Sequence, residues 1–444
     1  MMLVEFEKIT LLEGMLKFNP ILFFINIILI VHFIIEWFIF YKKTKIVFDY
    51  WRFFCVLNIF IPIFIMYPFS SSIYNILSTG NNIFYIEPFV DQANIISIFG
   101  YIFLLLGRFL CKNRISNKLN FIEAILYNNL RSDKFYKLLY ILTIIFVSIM
   151  LVYAQKYPAY IFNFRSIRYD EPIFGAFINF LMSYSIYAMT MIGIRFFLKP
   201  KISILILLIL VMTIPILIGT RSGLFTPIIT ILLILSCYYK EKIKIWYYII
   251  GFTIIIILVM LLAVIRASIE TGIEPSSIFD FNIFLLGIFY GNSFSDLRDF
   301  AWTLSGFNEY FLWGKTYLSA VLSFVPSAIF EYRELYSYGA VTNYFAGISG
   351  NHFGLRIGVF GEIYINFGYV GEIIICIFMG YLLQYTNNNF LNAILNKKDI
   401  CLSYTRTIGF TIFSMLFLNS SGFFMIYVLI IINVLGLIVR KIKF

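Results

Sequence analysis

Of 444 residues, 61% are hydrophobic and 13% are charged, where a soluble domain carries about 25% charged residues. A water-soluble globular fold is excluded, and the solvent for most of the chain is lipid. The formal charge of +11 would suit a polyanion, but Lys and Arg collect in alternate short loops, which is a sign of membrane orientation and not of nucleic-acid binding.

In chain order, Met1 to Phe18 comes first. Lys8, Glu13 and Lys17 interrupt its apolar pattern, which predicts an amphipathic helix lying on the membrane surface. Its three glutamates and the lack of a small-residue cleavage site do not fit a cleavable signal peptide. Apolar runs of roughly 17 to 25 residues, the length that crosses about 30 Å of hydrocarbon, then predict spans at 20–41, 51–68, 94–111, 136–153, 174–197, 202–218, 223–239, 246–263, 363–383, 402–417 and 422–439. The expected fold is all-α, a polytopic bundle of about 11 transmembrane helices, within a range of roughly 10 to 12. No Pro/Ser/Gly-rich or charged linker divides it, so residues 1–444 read as one membrane domain with a long extracytoplasmic loop over 266–361.

The loops holding Lys42 to Lys45, Arg108 to Lys137, Arg195 to Lys201, Lys240 to Lys244, Lys397 and Lys398, and Arg440 to Lys443 alternate with loops poorer in basic residues. The basic loops are expected in the cytoplasm, which puts the N-terminus outside. The opposite loop from Ser70 to Gln92 contains no Lys or Arg. Tyr317 to Phe330, split by Pro326, reads as a second surface-lying helix. Cys55, Cys111, Cys237, Cys376 and Cys401 fall inside spans or near their basic ends. With His32 and His352 they supply neither the clustered ligands of a zinc site nor a disulfide framework, so no metal and no cofactor is indicated.

Charge held beside a bilayer costs free energy and usually has a use, which singles out the basic residues left on the outer side. Arg221 lies in IGTRSGLF, a very short outer turn. Its planar fork suits phosphate, and Ser222 and Gly223 would open a helix whose N-terminal amides favour an anion; the alternative is a snorkelling interfacial arginine. Arg266 follows an apolar span, where snorkelling alone is an adequate explanation. In FSDLRDFAW, the charges Asp296, Arg298 and Asp299 alternate with aromatics, as expected of a half-buried segment beside a polar cleft, and Arg298 can equally pair with either aspartate. HFGLRIGVFGE gathers His352, Arg356 and Glu362 just before a span. Gly354, Gly358 and Gly361 favour a loop or broken helix there. His352 and Glu362 are the residues suited to take a proton from a sugar hydroxyl, and each has a structural alternative as a satisfied histidine or a salt-bridged carboxylate. Tyr364 and Asn366 continue inward and would contact sugar.

The succession TRSGL, SDLRDFAW, GKTYL, FVPSAIF and GEIYINFGYVG, over roughly Arg221 to Gly380, resembles the Wzy-type oligosaccharide repeat-unit polymerases of bacterial surface polysaccharide synthesis, O-antigen polymerases included. The resemblance implies a bundle related to lipid-dependent glycosyltransferases of the GT-C type, in the bacterial inner membrane, with its active site facing the periplasm or cell exterior. It implies transfer of a growing glycan from its undecaprenyl diphosphate carrier onto a new lipid-linked repeat unit, without metal or nucleotide sugar. Matching outer-loop arginines are Arg165, Arg221, Arg298 and Arg356. Arg266 would join them at the diphosphate, and Arg165, Asp299, Lys315, Tyr364 and Asn366 would contact substrate. The implied partners are lipid-linked glycan donor and acceptor, membrane lipids and a chain-length-regulating co-polymerase. Two rivals stay open: an O-antigen ligase using the same donor with a lipid A core acceptor, and a flippase or exporter of lipid-linked oligosaccharides.

Overall fold

The computed structural model describes residues 18–70, 86–240, 289–290, 294–408 and 423–441 with a few positions between 246 and 253, apart from short stretches that include 161–163, 165–166, 168–171, 326–328, 349–353 and 397–398. Arg165, Arg266, His352, the side chain of Arg221, Met1 to Lys17, most of the expected span 246–263 and the second half of 402–417 lie outside the described residues. No strand occurs among the described residues. Six helices among the described residues are long and apolar enough to cross a membrane: α1 (Pro20–Thr44), α3 (Glu87–Leu110), α5 (Asp133–Lys156), α6 (Pro172–Leu198), α13 (Gly358–Leu395) and α14 (Phe424–Lys441). Shorter apolar helices are α2 (Tyr50–Cys55) with the π-helical run Val56–Ile65, α7 (Ile202–Ile218) and α8 (Arg221–Tyr238), while α4 (Phe121–Leu130) precedes α5. Four short helices fill the segment before α13: α9 (Asp296–Ser305), α10 (Lys315–Val321), α11 (Glu331–Tyr336) and α12 (Tyr338–Phe345).

Three elements differ from expectation for local reasons. The span from Trp51 is α-helical only to Cys55, because Pro62 lacks an N–H and its ring conflicts with the carbonyl four residues back. The chain widens into a π-helical run, closed by the Met66 N–H donating to the Ile61 carbonyl at 3.2 Å. The expected surface helix at Tyr317 to Phe330 starts at Lys315, ends at Val321 and tightens into a 3-10 turn over Leu322–Phe324. The span expected from Ile363 starts at Gly358, runs to Leu395 and breaks at Gly368, whose φ of 61° and ψ of −156° belong to glycine.

The α3 and α13 helices are the main packed pair and run parallel, since Phe99 meets Tyr369 at one end and Arg108 meets Gln384 towards the other, and between them Gly107 touches Ile377 and Gly380 touches Leu104. A Cβ at either glycine would lie 1.9 Å from the facing carbonyl oxygen. Small residues here let two backbones touch, the usual source of helix association where lipid removes the hydrophobic drive. One core joins α1 to α3, α9, α12 and the first half of α13. A second joins α4 to α8, the helical segment 400–408, α14 and the end of α13 at Phe390 and Ile394.

The helix ends that carry the basic loops meet on one side. Arg108 grips Glu36 through two nitrogens at 2.6 Å each, Arg52 bonds Glu36 at 2.6 Å and Asp49 at 2.7 Å, and Asn387 of α13 donates to Asp49 at 2.8 Å. Nearby, Arg406 meets Glu123 at 2.9 Å. Charges this near the bilayer persist because each is paired and hydrogen-bonded. The described residues between Ser295 and Ile357 gather at the other end of α3 and α13.

Candidate functional site

Gly358 opens α13 after an irregular segment, Gly354 to Ile357, that lies outside the helical hydrogen-bond ladder. Three successive N–H groups are satisfied by side chains instead. Leu355 donates to Thr342 Oγ1 at 3.0 Å, Arg356 to Asp299 Oδ2 at 3.2 Å and Ile357 to the Tyr338 hydroxyl at 2.8 Å. Buried backbone donors must be paired, so α9 and α12 dictate the path of this segment. They also place the exposed Arg356 side chain at the mouth of α13.

The α9 helix carries Asp296 and Asp299 in its first turn, where carboxylates favour the positive end of the helix dipole. Its residues from Leu297 to Leu304 are buried, which corrects the expectation of a half-buried stretch. Arg298 is buried too. Its guanidinium donates to Asp299 Oδ1 from Nε at 3.3 Å and Nη2 at 3.0 Å, and from Nη1 to the Tyr290 carbonyl at 2.6 Å. Asp299 is thereby held from both sides, since its second oxygen takes the Ser295 hydroxyl at 2.9 Å as well as the Arg356 amide. Burial pushes the Asp296 carboxyl up to about 6, with Arg356 opposing the rise and Asp299 adding to it.

The second half of the site lies on α13. Glu362 and Asn366 are one turn apart and fully buried. Thr316 of α10 bridges them: its hydroxyl donates to Glu362 Oε1 at 2.9 Å and accepts from Asn366 Nδ2 at 2.8 Å. Asn366 Nδ2 also donates to the Glu362 carbonyl at 2.8 Å, while its Oδ1 has no hydrogen-bond partner among the described residues. Tyr364 points elsewhere, into a ring cluster with Phe300, Phe307, Phe311 and Tyr369.

The break at Gly368 explains how α10 reaches Glu362. It releases the carbonyls of Ile365 and Asn366 from helical bonding, and the N–H groups of Leu312 (3.1 Å) and Trp313 (2.9 Å) donate to them instead. A Cβ at Gly368 would also strike Phe311, at 2.8 Å. The turn Phe311 to Gly314 is thus docked on the kink, and α10 follows with Thr316 inward and Lys315 outward. Lys315 is exposed, with Nζ 3.3 Å from the Tyr336 hydroxyl and 4.5 Å from that ring's centre.

The fold brings together Arg298, Asp299 and Arg356 in one group and Glu362, Asn366 and Thr316 in another, both at the end of α13 that begins with Gly358. Lys315 stands next to the second group. Arg221 opens α8 directly after the two-residue turn Gly219–Thr220, as the short outer turn predicts. Thr316 and Asp296 were not among the expected site residues. Thr316 carries no charge to mark it, and its partners lie 46 and 50 positions away. Asp296 was visible as a charge, but its enclosure was not.

Fold and site define the class: an α-helical membrane protein with a group of buried and exposed polar residues gathered where α13 begins. No protein-family model, curated protein or solved structure matches the chain.

Proposed function

We propose that the protein is a metal-independent glycosyltransferase that polymerises undecaprenyl-diphosphate-linked oligosaccharide repeat units on the outer face of the bacterial inner membrane, from a GT-C-type bundle of about eleven spans. The observation that carries this reading is the pairing, at the outer end of α13, of a buried carboxylate held by Thr316 and Asn366 with an exposed arginine, Arg356, at the helix mouth. Glycosyl transfer requires these two elements, a group to take the acceptor proton and a cation for the leaving diphosphate. The residue pattern from TRSGL to GEIYINFGYVG supports it independently.

In this mechanism the acceptor hydroxyl oxygen bonds to the anomeric carbon of the donor glycan as the bond from that carbon to the diphosphate oxygen breaks. The hydroxyl proton passes to Glu362 or His352, and undecaprenyl diphosphate leaves with the electron pair. Arg356 contacts the diphosphate, with Arg221 and Arg266 as the other cations available to it. Arg298 serves through Asp299, which fixes the Arg356 backbone, and Asn366 holds the Thr316–Glu362 group from within, while Lys315 and Arg165 contact sugar and Tyr364, packed among rings, does not. A co-polymerase that sets chain length is the expected protein partner.

Purified protein mixed with lipid-linked repeat units should produce a ladder of products without nucleotide sugar or added metal. No ladder, but transfer to lipid A core, would identify the ligase instead. The exporter reading has one observation in its favour: Glu372 lies buried midway along α13, with Oε1 lacking a hydrogen-bond partner. Translocation of fluorescent lipid-linked sugar without chain growth would establish that reading.

A further inference from the structure

The α10 helix has two faces with different surroundings. Thr316, Ser319 and Ala320 are buried, and Thr316 belongs to the Glu362 network. Every third residue from Lys315 points the other way: Leu318 is 50% exposed, Val321 38% and Phe324, in the following 3-10 turn, 57%. Three large apolar side chains on one stripe, following an exposed cation, make an amphipathic segment. Tyr310 and Trp313, both strongly exposed, precede it, and aromatics of this kind favour the headgroup level of a bilayer.

What lies against the stripe follows from its neighbour. The Tyr427 hydroxyl in the first turn of α14 donates to the Val321 carbonyl, and the Tyr427 ring stands 5.5 Å from the Phe324 ring. The rest of α14 exposes Ile430, Ile431, Val434, Leu435 and Ile438, an apolar surface of the kind a membrane-spanning helix presents to lipid. The stripe on α10 therefore continues the lipid-facing surface of α14 at its outer end.

We propose that α10 and the turn after it are immersed in the outer leaflet as a wedge, with Leu318, Val321 and Phe324 against lipid acyl chains, so that the bilayer sets the height of the Thr316–Glu362 group at the headgroup boundary. Lys315, at the start of the stripe, reaches back to water and lipid phosphate by snorkelling. The proposal does not depend on the polymerase reading, because it rests on the stripe and its continuity with α14. It narrows the surface-lying helix expected over 317–330 to 315–324 and identifies the face that enters lipid.

The test uses the full-length protein in phosphatidylcholine vesicles, with single cysteines introduced as Leu318→Cys, Val321→Cys and Phe324→Cys and labelled with an environment-sensitive fluorophore. The five native cysteines are buried and stay unlabelled under mild conditions, which a parallel reaction on the unmodified protein measures. Glu334→Cys, at an exposed charged position, serves as the water-facing control. Replacing the lipid with acyl-brominated phosphatidylcholine should quench the three stripe positions by roughly two-fold or more, as for probes about 5–10 Å below the headgroups, while iodide quenches only the control. Quenching of the stripe by iodide, or by neither agent, would overturn the proposal, the second result indicating a protein partner on that face. Carrying three positions keeps the test decisive should one variant fail to fold. In a fourth protein, Leu318→Asp with Phe324→Asp, a label at Val321 should move from lipid to iodide quenching.

Discussion

Thr316→Val keeps the branched shape of the side chain and removes only the hydroxyl that joins α10 to α13. Two bonds are lost, at 2.9 Å to Glu362 Oε1 and 2.8 Å from Asn366 Nδ2. The second loss is partly covered, because Asn366 Nδ2 keeps the Glu362 carbonyl at 2.8 Å. The cost therefore falls mainly on Glu362, which is fully buried. Leaving a buried acceptor short of a donor costs about 1–3 kcal/mol, whereas hydrogen bonds between membrane helices contribute about 0.6 kcal/mol on average and about 1.7 at most. A stability loss of about 2 kcal/mol lies between these bounds and is the expected result. Thr316→Ser, which keeps the hydroxyl, should lose less than about 1 kcal/mol. Reversible unfolding in mixed detergent micelles measures both, and a cycle with Glu362→Leu isolates the pair. The coupling should reach about 1 kcal/mol. If the Thr316→Val and Glu362→Leu effects add to within about 0.5 kcal/mol, the bridge does not exist in the protein and the site must be redrawn.

Arg356→Ala should lower ladder formation by roughly 30-fold or more with folded protein at normal levels, and Arg356→Lys should recover only part of it. Arg298→Ala should instead cost about 3–5 kcal/mol of stability by leaving Asp299 buried without its partner; normal stability with lost turnover would move Arg298 to the substrate. Gly107→Ala and Gly380→Ala each force apart backbones where a Cβ would stand 1.9 Å from a carbonyl, an overpacking loss of about 1–3 kcal/mol readable by thermal unfolding, and wild-type stability in both would refute the close approach of α3 and α13. Asp296 is held at about 6 in the folded protein against about 3.9 when unfolded, so the native state binds its proton more tightly. Its effect on stability is absent below about 4 and becomes unfavourable as pH rises through 6; Asp296→Asn should flatten stability over that window, and an unchanged profile would refute the enclosure. An acid limb of activity near 6 that survives His352→Gln and disappears in Asp296→Asn belongs to Asp296 and not to the histidine.

The outline of this protein is written in its chain. Apolar runs of bilayer length and alternating basic loops predict the long helices and the common side of Glu36, Arg52 and Arg108, because both depend on local composition measured against a slab of fixed thickness. The short turn before Arg221 and the helix boundary at Gly358 follow from local chemistry as well. Charge also marked Arg298, Asp299, Arg356 and Glu362 as residues needing a reason to stand beside lipid. Which of them are exposed and which enclosed was decided by packing alone. Nothing near Arg298 in the sequence shows that its fork is filled by Asp299 and the Tyr290 carbonyl, while Arg356, the more solvated of the two, has only its amide tied down. Thr316, uncharged and 46 positions from Glu362, becomes part of the site only because the break at Gly368 frees two carbonyls that draw the preceding turn against α13. Hydrogen-bond demand left by a broken helix is met wherever the fold places a donor, and that placement is a property of three dimensions.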